Sequence, residues 1–357
     1  MTDTLSLDSY RLLGRSGLRV SPLALGTMTF GTDWGWGADI AEARRIFDVY
    51  VDRGGNFIDT ANQYTNGTSE RFVGELAADR RERLVIATKY TLSTRPGDPN
   101  SGGNHRKSMV RSVEDSLTRM NTDYIDLLYL HAWDFTTPVE EILRGMDDLV
   151  RAGKVVYVGI SDAPAWQVSR MQAIADLRGW SPLVALQIEY SLIERTVERD
   201  LIPMAREMGL GVIPWSPLAS GVLTGKYTRA DLDHGGGTAD ATGTRKNVAA
   251  ANGSLTERGL AIADVVKDIA NEAGKTPAQI ALAWTLLNPT VTAPITGART
   301  VAQLEDNLGA LDVAFTEDEL ARLQTASAVE LGFPHEFLQR PMPRSVMFGG
   351  ANIRARG

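Results

Sequence analysis

The stretch IDLLYLHAWDFTTPVEEILRGMDDLVRAGKVVYVGIS, residues 125–161, reads as a strand, a helix and a second strand. Its first seven residues, IDLLYLH, are a short apolar, β-rich run. The middle segment, TPVEEILRGMDDLVRAGK, opens on Thr-Pro and closes on Arg-Ala-Gly-Lys, the start and stop signals of a helix. VVYVGIS (155–161) returns to a β-like run. Strands that alternate with helical crossovers pair in parallel, so this unit predicts a parallel sheet covered by helices.

The same unit recurs on both sides of this stretch. Besides 125–131 and 155–161, β-like runs occur at LALGTMTF (23–30), NFIDTA (56–61), LVIATKY (84–90), VALQIEYS (184–191), GVIPWSP (211–217) and VTAPITG (291–297). Amphipathic helical patterns lie between consecutive runs, as in AEARRIFDVYVDRGG, where Ile46, Val49 and Tyr50 fall at helical spacing. A chain of 357 residues has room for two average domains or one large barrel. Eight repeats decide for closure, so the fold class is α/β, a (β/α)8 TIM barrel in a single domain spanning 1–357.

Three stretches fall outside the repeat. Residues 10–22 carry two short β-like pieces around Gly14–Gly17 and predict a hairpin that plugs the bottom of the barrel. Residues 228–254, rich in Gly, Ala, Thr and Asp, predict a mobile loop. The tail 329–357 carries Phe333, Phe337 and Phe348 among several prolines, and is expected to fold back over the barrel.

Composition narrows the function classes. A net charge of -7 and a pI near 5.3 argue against a nucleic-acid or anionic-membrane partner. Absence of cysteine excludes disulfides and thiolate metal sites, and no metal centre is expected. The opening MTDTLSLDSYR has no apolar signal core, and no run of eighteen apolar residues occurs, so the expectation is a cytoplasmic protein without a membrane span. Oligomeric state is left open.

Four residues stand at or just past the ends of these runs: Asp59, Tyr64, Lys89 and His131. Strand ends facing the same way converge in a parallel barrel, which would bring an acid, a phenol, an amine and an imidazole into one pocket. A phenol is a neutral acid at an ordinary pKa of about 10, reluctant to release its proton at neutral pH unless a nearby ammonium lowers that value. A carboxylate holds the ammonium charged and in place, and an imidazole can hydrogen-bond the oxygen of a polarised carbonyl. The residue types fit carbonyl reduction. Taken singly, three of them have a plainer reading: Asp59 as a helix cap, Lys89 as half of a structural ion pair, His131 as a core histidine.

In their order, the motifs GTMTFG (26–31), Asp-Thr-Ala to Tyr (59–64), TKY around Lys89, LYLH ending at His131, GKVVYVGIS (153–161), LQIEYS (186–191), IPWSPLASGVLTGKY (213–227) and PITGARTVAQLEDNL (294–308) make the chain resemble an aldo-keto reductase over nearly its whole length. The resemblance implies an oxidoreductase that reduces an aldehyde or ketone with NADPH as cofactor, bound by the barrel itself. Tyr64 would be the general acid, Lys89 the group that lowers its pKa, Asp59 the partner of Lys89, and His131 the carbonyl-orienting group. For the cofactor it implies Gly26, Thr27, Met28 and Asp59 near the nicotinamide ribose, Ser161, Asp162 and Gln187 at the carboxamide, and Trp215 stacked on the nicotinamide face. Ser216, Leu218, Gly221, Leu223 and Lys226 would line the pyrophosphate. Gly297, Arg299, Gln303, Asp306 and Asn307 would take the adenosine end, where the fork of Arg299 suits a 2′-phosphate and favours NADP over NAD. One position departs from the pattern: Asp162 follows Ser161 where many relatives carry asparagine. An ionised aspartate accepts from a carboxamide N–H but cannot donate to its oxygen, so Asp162 is expected either at the carboxamide or as the cap of the following helix.

Trp34 and Trp36 follow the first run and Trp133 follows His131, so together with Tyr64 and His131 they predict an aromatic substrate mouth. No cluster of Arg or Lys marks a charged substrate, and the expected partner is a small neutral carbonyl compound. Two other functions fit the same residues: an NADPH-binding regulatory subunit similar to the β subunits of potassium channels, and a barrel aldolase that uses Lys89 as a Schiff base.

Overall fold

The computed structural model describes residues 5–232, 245–351 and Ile353. Two short strands, β1 (Arg11–Leu12) and β2 (Arg19–Val20), form an antiparallel hairpin. Eight parallel strands follow: β3 (Ala24–Gly26), β4 (Phe57–Asp59), β5 (Val85–Tyr90), β6 (Ile125–Leu130), β7 (Val155–Ser161), β8 (Leu183–Glu189), β9 (Gly211–Trp215) and β10 (Ile295–Gly297). They neighbour one another in chain order, and β10 returns to pair with β3. The ring closes where Val212 N donates to Thr290 O at 3.0 Å and Thr292 N donates to Val212 O at 2.8 Å. This is the (β/α)8 barrel that the repeats implied. Several strands are shorter than the apolar runs because the run continues past the last ladder bond into the loop that carries the site; at 23–30 only Ala24–Gly26 join the barrel, whereas at 155–161 the whole run is strand.

Helices α1 (Ile40–Asp52), α2 (Thr68–Ala77), α3 (Arg106–Met120), α4 (Val139–Arg151), α5 (Ala165–Arg178) and α6 (Leu201–Met208) are the first six crossovers. In α4, buried Val139, Ile142, Leu143, Met146 and Leu149 form one stripe, with Glu140 and Glu141 in the first turn and Arg151 in the last, where they complement the helix dipole. Between β9 and β10 lie α7 (Arg245–Ala251), α8 (Glu257–Ala273) and α9 (Pro277–Leu286). After β10 come α10 (Val301–Leu308) and α11 (Glu317–Ser327), then α12 (His335–Gln339) and α13 (Pro341–Phe348) in the tail.

Two apolar layers hold the barrel. One lies between sheet and helices; the other fills the barrel with Phe57, Val85, Leu127, Tyr129, Ile213 and Ala293, and Leu13 and Val20 of the hairpin pack into it. The hairpin is therefore the bottom plug. Gly14, at φ 54, touches the starts of β8 and β9: a Cβ there would lie 2.3 Å from the Val184 carbonyl oxygen and 2.8 Å from Gly211 N, so only glycine fits.

The other two irregular stretches follow expectation in part. Of the loop 228–254, residues 233–244 lie outside the described residues; Arg229–Asp231 form a capped 3-10 turn and Arg245–Ala251 a helix. The tail returns to the top of the barrel, where Arg199 donates to the Phe333 carbonyl at 3.1 Å and His335 meets Asp200 at 3.1 Å, both after β8. Its apolar residues are not buried there: Phe333 is 76% and Val346 74% exposed. Among the described residues, no helix is long and apolar enough to cross a membrane.

Candidate active site

Register sets the site. In the ladders Gly297 faces Gly26, Gly26 faces Asp59, Ser161 faces Gln187, and Glu189 faces Trp215, so these residues form a ring at the C-terminal ends of the strands. Lys89, on β5 two residues past Ala87, the partner of Asp59, is fully buried. Its ammonium donates to Asp59 Oδ1 at 2.6 Å, to the Thr60 carbonyl at 2.8 Å and to the Tyr64 hydroxyl at 3.2 Å. Gln187 donates through Nε2 to the other Asp59 oxygen at 2.9 Å. Both carboxylate oxygens are thus engaged, as a buried charge requires.

Tyr64 begins a turn in which Thr65 (φ 45), Asn66 (φ 55) and Gly67 (φ 85) are left-handed in succession. A β-branched residue rarely adopts that conformation. It is held because Thr65 Oγ1 donates to the Phe30 carbonyl at 2.7 Å and accepts from Ser69 N at 3.0 Å, at the start of α2. His131 stands edge-on to Tyr64, with ring centroids 6.0 Å apart at 80°.

Burial and neighbours set the protonation states. For Lys89, burial works against the charge, but Asp59 and Tyr64 outweigh it and hold the pKa above its ordinary value. His131 is pushed down to about 3, by burial and then by Lys89, so its imidazole is neutral near pH 7. Tyr64 runs against expectation: Lys89 lowers its pKa, yet burial, with Asp59 adding to it, raises the net value above that of a free phenol. At the end of β8, Glu189 is raised to about 7 by burial and then by Glu194 and Asp162.

Above the four residues opens a cleft of about 640 Å3. It is lined by Gly26, Met28, Asp59, Tyr64, His131, Ser161, Asp162, Gln187 and Trp215, then by Ser216, Leu218, Gly221 and Lys226, and at the far end by Gly297, Arg299, Gln303, Asp306 and Asn307. Trp34 forms part of its wall. Lys89 is buried beneath the lining, and four other expected residues do not line it either. Thr27 is buried and hydrogen-bonds the Asp59 carbonyl and Ser69; Leu223 belongs to the core; Trp36 packs against Trp34 at 5.8 Å instead; Trp133 is 8% exposed and belongs to the core. Thr27, Leu223 and Trp133 turn into the interior, a choice that sequence order does not reveal.

The cleft also has walls that the sequence did not single out. Gln63, just before Tyr64, and Leu92, just past β5, line it, as do Thr276 and Pro277 at the start of α9, with Val248 and Asn252. Their positions next to Tyr64 and Lys89, and the Thr-Pro helix start, were the available signals. Asp162 lines the cleft and does not take the capping role. The α5 start at Pro164 receives no side-chain cap, and Asp162 Oδ1 instead accepts from the Trp215 indole Nε1 at 2.9 Å.

The lining suits a nicotinamide dinucleotide. Ser161 Oγ is buried without a partner beside Gln187, an unmet hydrogen bond where a carboxamide would supply one. Gly221, at φ 91, leaves room for Lys226, since a Cβ there would come within 2.8 Å of its Nζ. Arg299 is exposed at the rim and forms no ion pair among the described residues. Its own N–H is held by Gln303 Oε1 at 2.9 Å, and Asn307 donates to the Gly297 carbonyl at 3.4 Å, so these two side chains shape the loop.

A model of the aldo/keto reductase family matches residues 22–328. The chain belongs to the aldo/keto reductase family. It is 38% identical to norsolorinic acid reductase of Aspergillus flavus, over 93% of this chain and 84% of that protein. It is 40% identical to the uncharacterized oxidoreductase YrpG of Bacillus subtilis, over 88% of this chain and 94% of that one. It is 36% identical to aryl-alcohol dehydrogenase [NADP(+)] of Phanerodontia chrysosporium, over 89% and 86%. As a member of this family the chain is an oxidoreductase of the nicotinamide-dependent kind.

Proposed function

We propose that this aldo/keto reductase reduces a neutral aromatic aldehyde or ketone to the alcohol, with NADPH as reductant and Tyr64 as general acid. The observation that carries the reading is the fully buried Lys89 ammonium shared between Asp59 and the Tyr64 hydroxyl at the floor of the cleft. When bound, the cofactor supplies the hydride that reduces the carbonyl carbon. Tyr64 gives its proton to the carbonyl oxygen, and Lys89 stabilises the phenolate left behind. Asp59 keeps Lys89 charged and fixed. His131, neutral near pH 7, lines the cleft beside Tyr64 and orients the carbonyl oxygen.

Arg299, free of ion pairs among the described residues, suits a 2′-phosphate, in line with the NADP(+) in the name of one relative. The aromatic substrate class rests on Trp34, Leu92 and Met28 along the wall, and on relatives named for norsolorinic acid and aryl alcohols. The test is NADPH absorbance during incubation with a panel of aryl aldehydes, aryl ketones and aldoses. Turnover of the aryl carbonyls ahead of the aldoses is expected. Absence of turnover with every carbonyl, in a protein that binds NADPH, would favour a regulatory role.

A further inference from the structure

We propose that Asp162 is a positioning residue that latches the Trp215 indole in place, so that its ring forms a fixed wall for the nicotinamide; this rests on the nicotinamide reading of the cleft. Asp162 follows the last residue of β7, and Trp215 is the last residue of β9. β8 lies between those strands, so the bond from Trp215 Nε1 to Asp162 Oδ1, 2.9 Å long, spans the end of a whole strand. The backbone of Asp162 is tied down on both sides. Its N–H donates to the Gln187 carbonyl on β8 at 3.3 Å, and its carbonyl accepts from Trp133 N on the loop after β6 at 3.2 Å. With φ 41 it is left-handed, a conformation that aspartate tolerates better than most residues.

The other end of the latch needs such support. Trp215 leads into a stretch where Ser216 (φ 51), Ala219 (φ 47), Ser220 (φ 54) and Gly221 (φ 91) are all left-handed. A ring at the edge of so irregular a segment has no regular ladder beyond it to set its angle. The indole N–H is its one polar handle, and Asp162 takes it. The carboxylate is exposed to the open cleft, so water competes for the bond until a ligand covers it. Covering the pair strengthens a charge-assisted bond, which couples the latch to cofactor binding.

Asparagine would keep the acceptor oxygen without the charge, whereas alanine removes both. Asp162→Ala is therefore expected to weaken NADPH binding by about tenfold or more, and Asp162→Asn by less than about threefold. In a Trp215→Phe background, which lacks the N–H but keeps an aromatic ring, Asp162→Ala should cost less than about threefold, because the partner is already gone.

The experiment measures NADPH dissociation constants for these variants by fluorescence. A second, cofactor-free reading comes from the indole N–H resonances of 15N-labelled protein. The resonance that disappears in Trp215→Phe should shift in Asp162→Ala and stay near its place in Asp162→Asn. If wild type and variants bind NADPH but the two losses simply add, or if that resonance ignores Asp162→Ala, the latch is refuted while the nicotinamide reading stands. If Asp162→Asn is as weak as Asp162→Ala, the negative charge acts directly on the cofactor and the latch is likewise refuted. If the wild type binds no nicotinamide nucleotide, the reading of the cleft falls and the latch with it.

Discussion

Lys89→Met separates what Lys89 does for the fold from what it does for the reaction. The ammonium makes three polar contacts while fully buried, and methionine fills a similar volume with none of them. Removing one partner of a buried ion pair costs roughly 3–5 kcal/mol, most of it from the charge left behind. Here Gln187 still donates to Asp59 at 2.9 Å, so the lower end, about 3 kcal/mol, is expected. Turnover should fall by about 10²–10⁴-fold, the usual range for loss of acid catalysis, because no cation remains to receive the Tyr64 phenolate.

Adding Asp59→Asn to that variant removes the stranded charge and leaves an amide that can still pair with Gln187. The double variant should recover roughly half or more of the lost stability but none of the lost turnover. Thermal melts report the first quantity, and single-turnover NADPH oxidation the second. If the double variant regains stability and turnover together, Lys89 is a structural ion pair and its place in the mechanism is lost. If Lys89→Met neither melts earlier nor slows, the buried geometry itself is wrong.

Tyr64→Phe should lower turnover by about 10²–10⁴-fold with NADPH affinity nearly unchanged; a variant keeping more than half of wild-type turnover removes Tyr64 from the acid role. Arg299→Ala should weaken NADPH by about ten- to a hundredfold while NADH affinity hardly moves; equal losses for both would place any NADP preference elsewhere. Glu189 has a folded pKa near 7, above its ordinary value, so its ionisation disfavours the folded state as pH rises through that range. Glu189→Gln should therefore raise the melting temperature more at pH 8 than at pH 5, and an equal change at both would show that its burial carries no electrostatic strain.

The barrel was legible because alternation of β-like runs with amphipathic helices leaves few other packings. The site was legible for a related reason: Asp59, Lys89 and His131 stand at strand ends, and parallel register turns that spacing into a ring. What sequence order could not supply was direction. Thr27 and Trp133 sit among site residues yet turn into the interior, whereas Gln63 and Thr276 turn into the cleft. The left-handed turn after Tyr64 was equally hidden, since Thr65 is a poor residue for it and is held by contacts with Phe30 and Ser69. The Asp162 role needed β9 in place, because its partner is fifty-three positions away.

The electrostatics of Tyr64 change how the proposed acid would work. A phenol with a lowered pKa would be partly ionised at neutral pH and would lose part of its acid form before a substrate arrives. In this cleft burial is the largest influence and raises the pKa; Lys89 opposes it, and Asp59 adds to the rise. Tyr64 is therefore fully protonated at neutral pH. In the proposed mechanism Lys89 then acts as the proton leaves, when the phenolate forms beside a buried cation that needs no reorganisation to receive it. This differential stabilisation predicts a silent titration. Difference absorbance of the wild type against Tyr64→Phe should show no additional phenolate below a pH of about 10, the ordinary phenol value. An extra phenolate appearing between pH 6 and 9 would restore the simpler picture, in which Lys89 works by lowering the resting pKa, and would overturn this one.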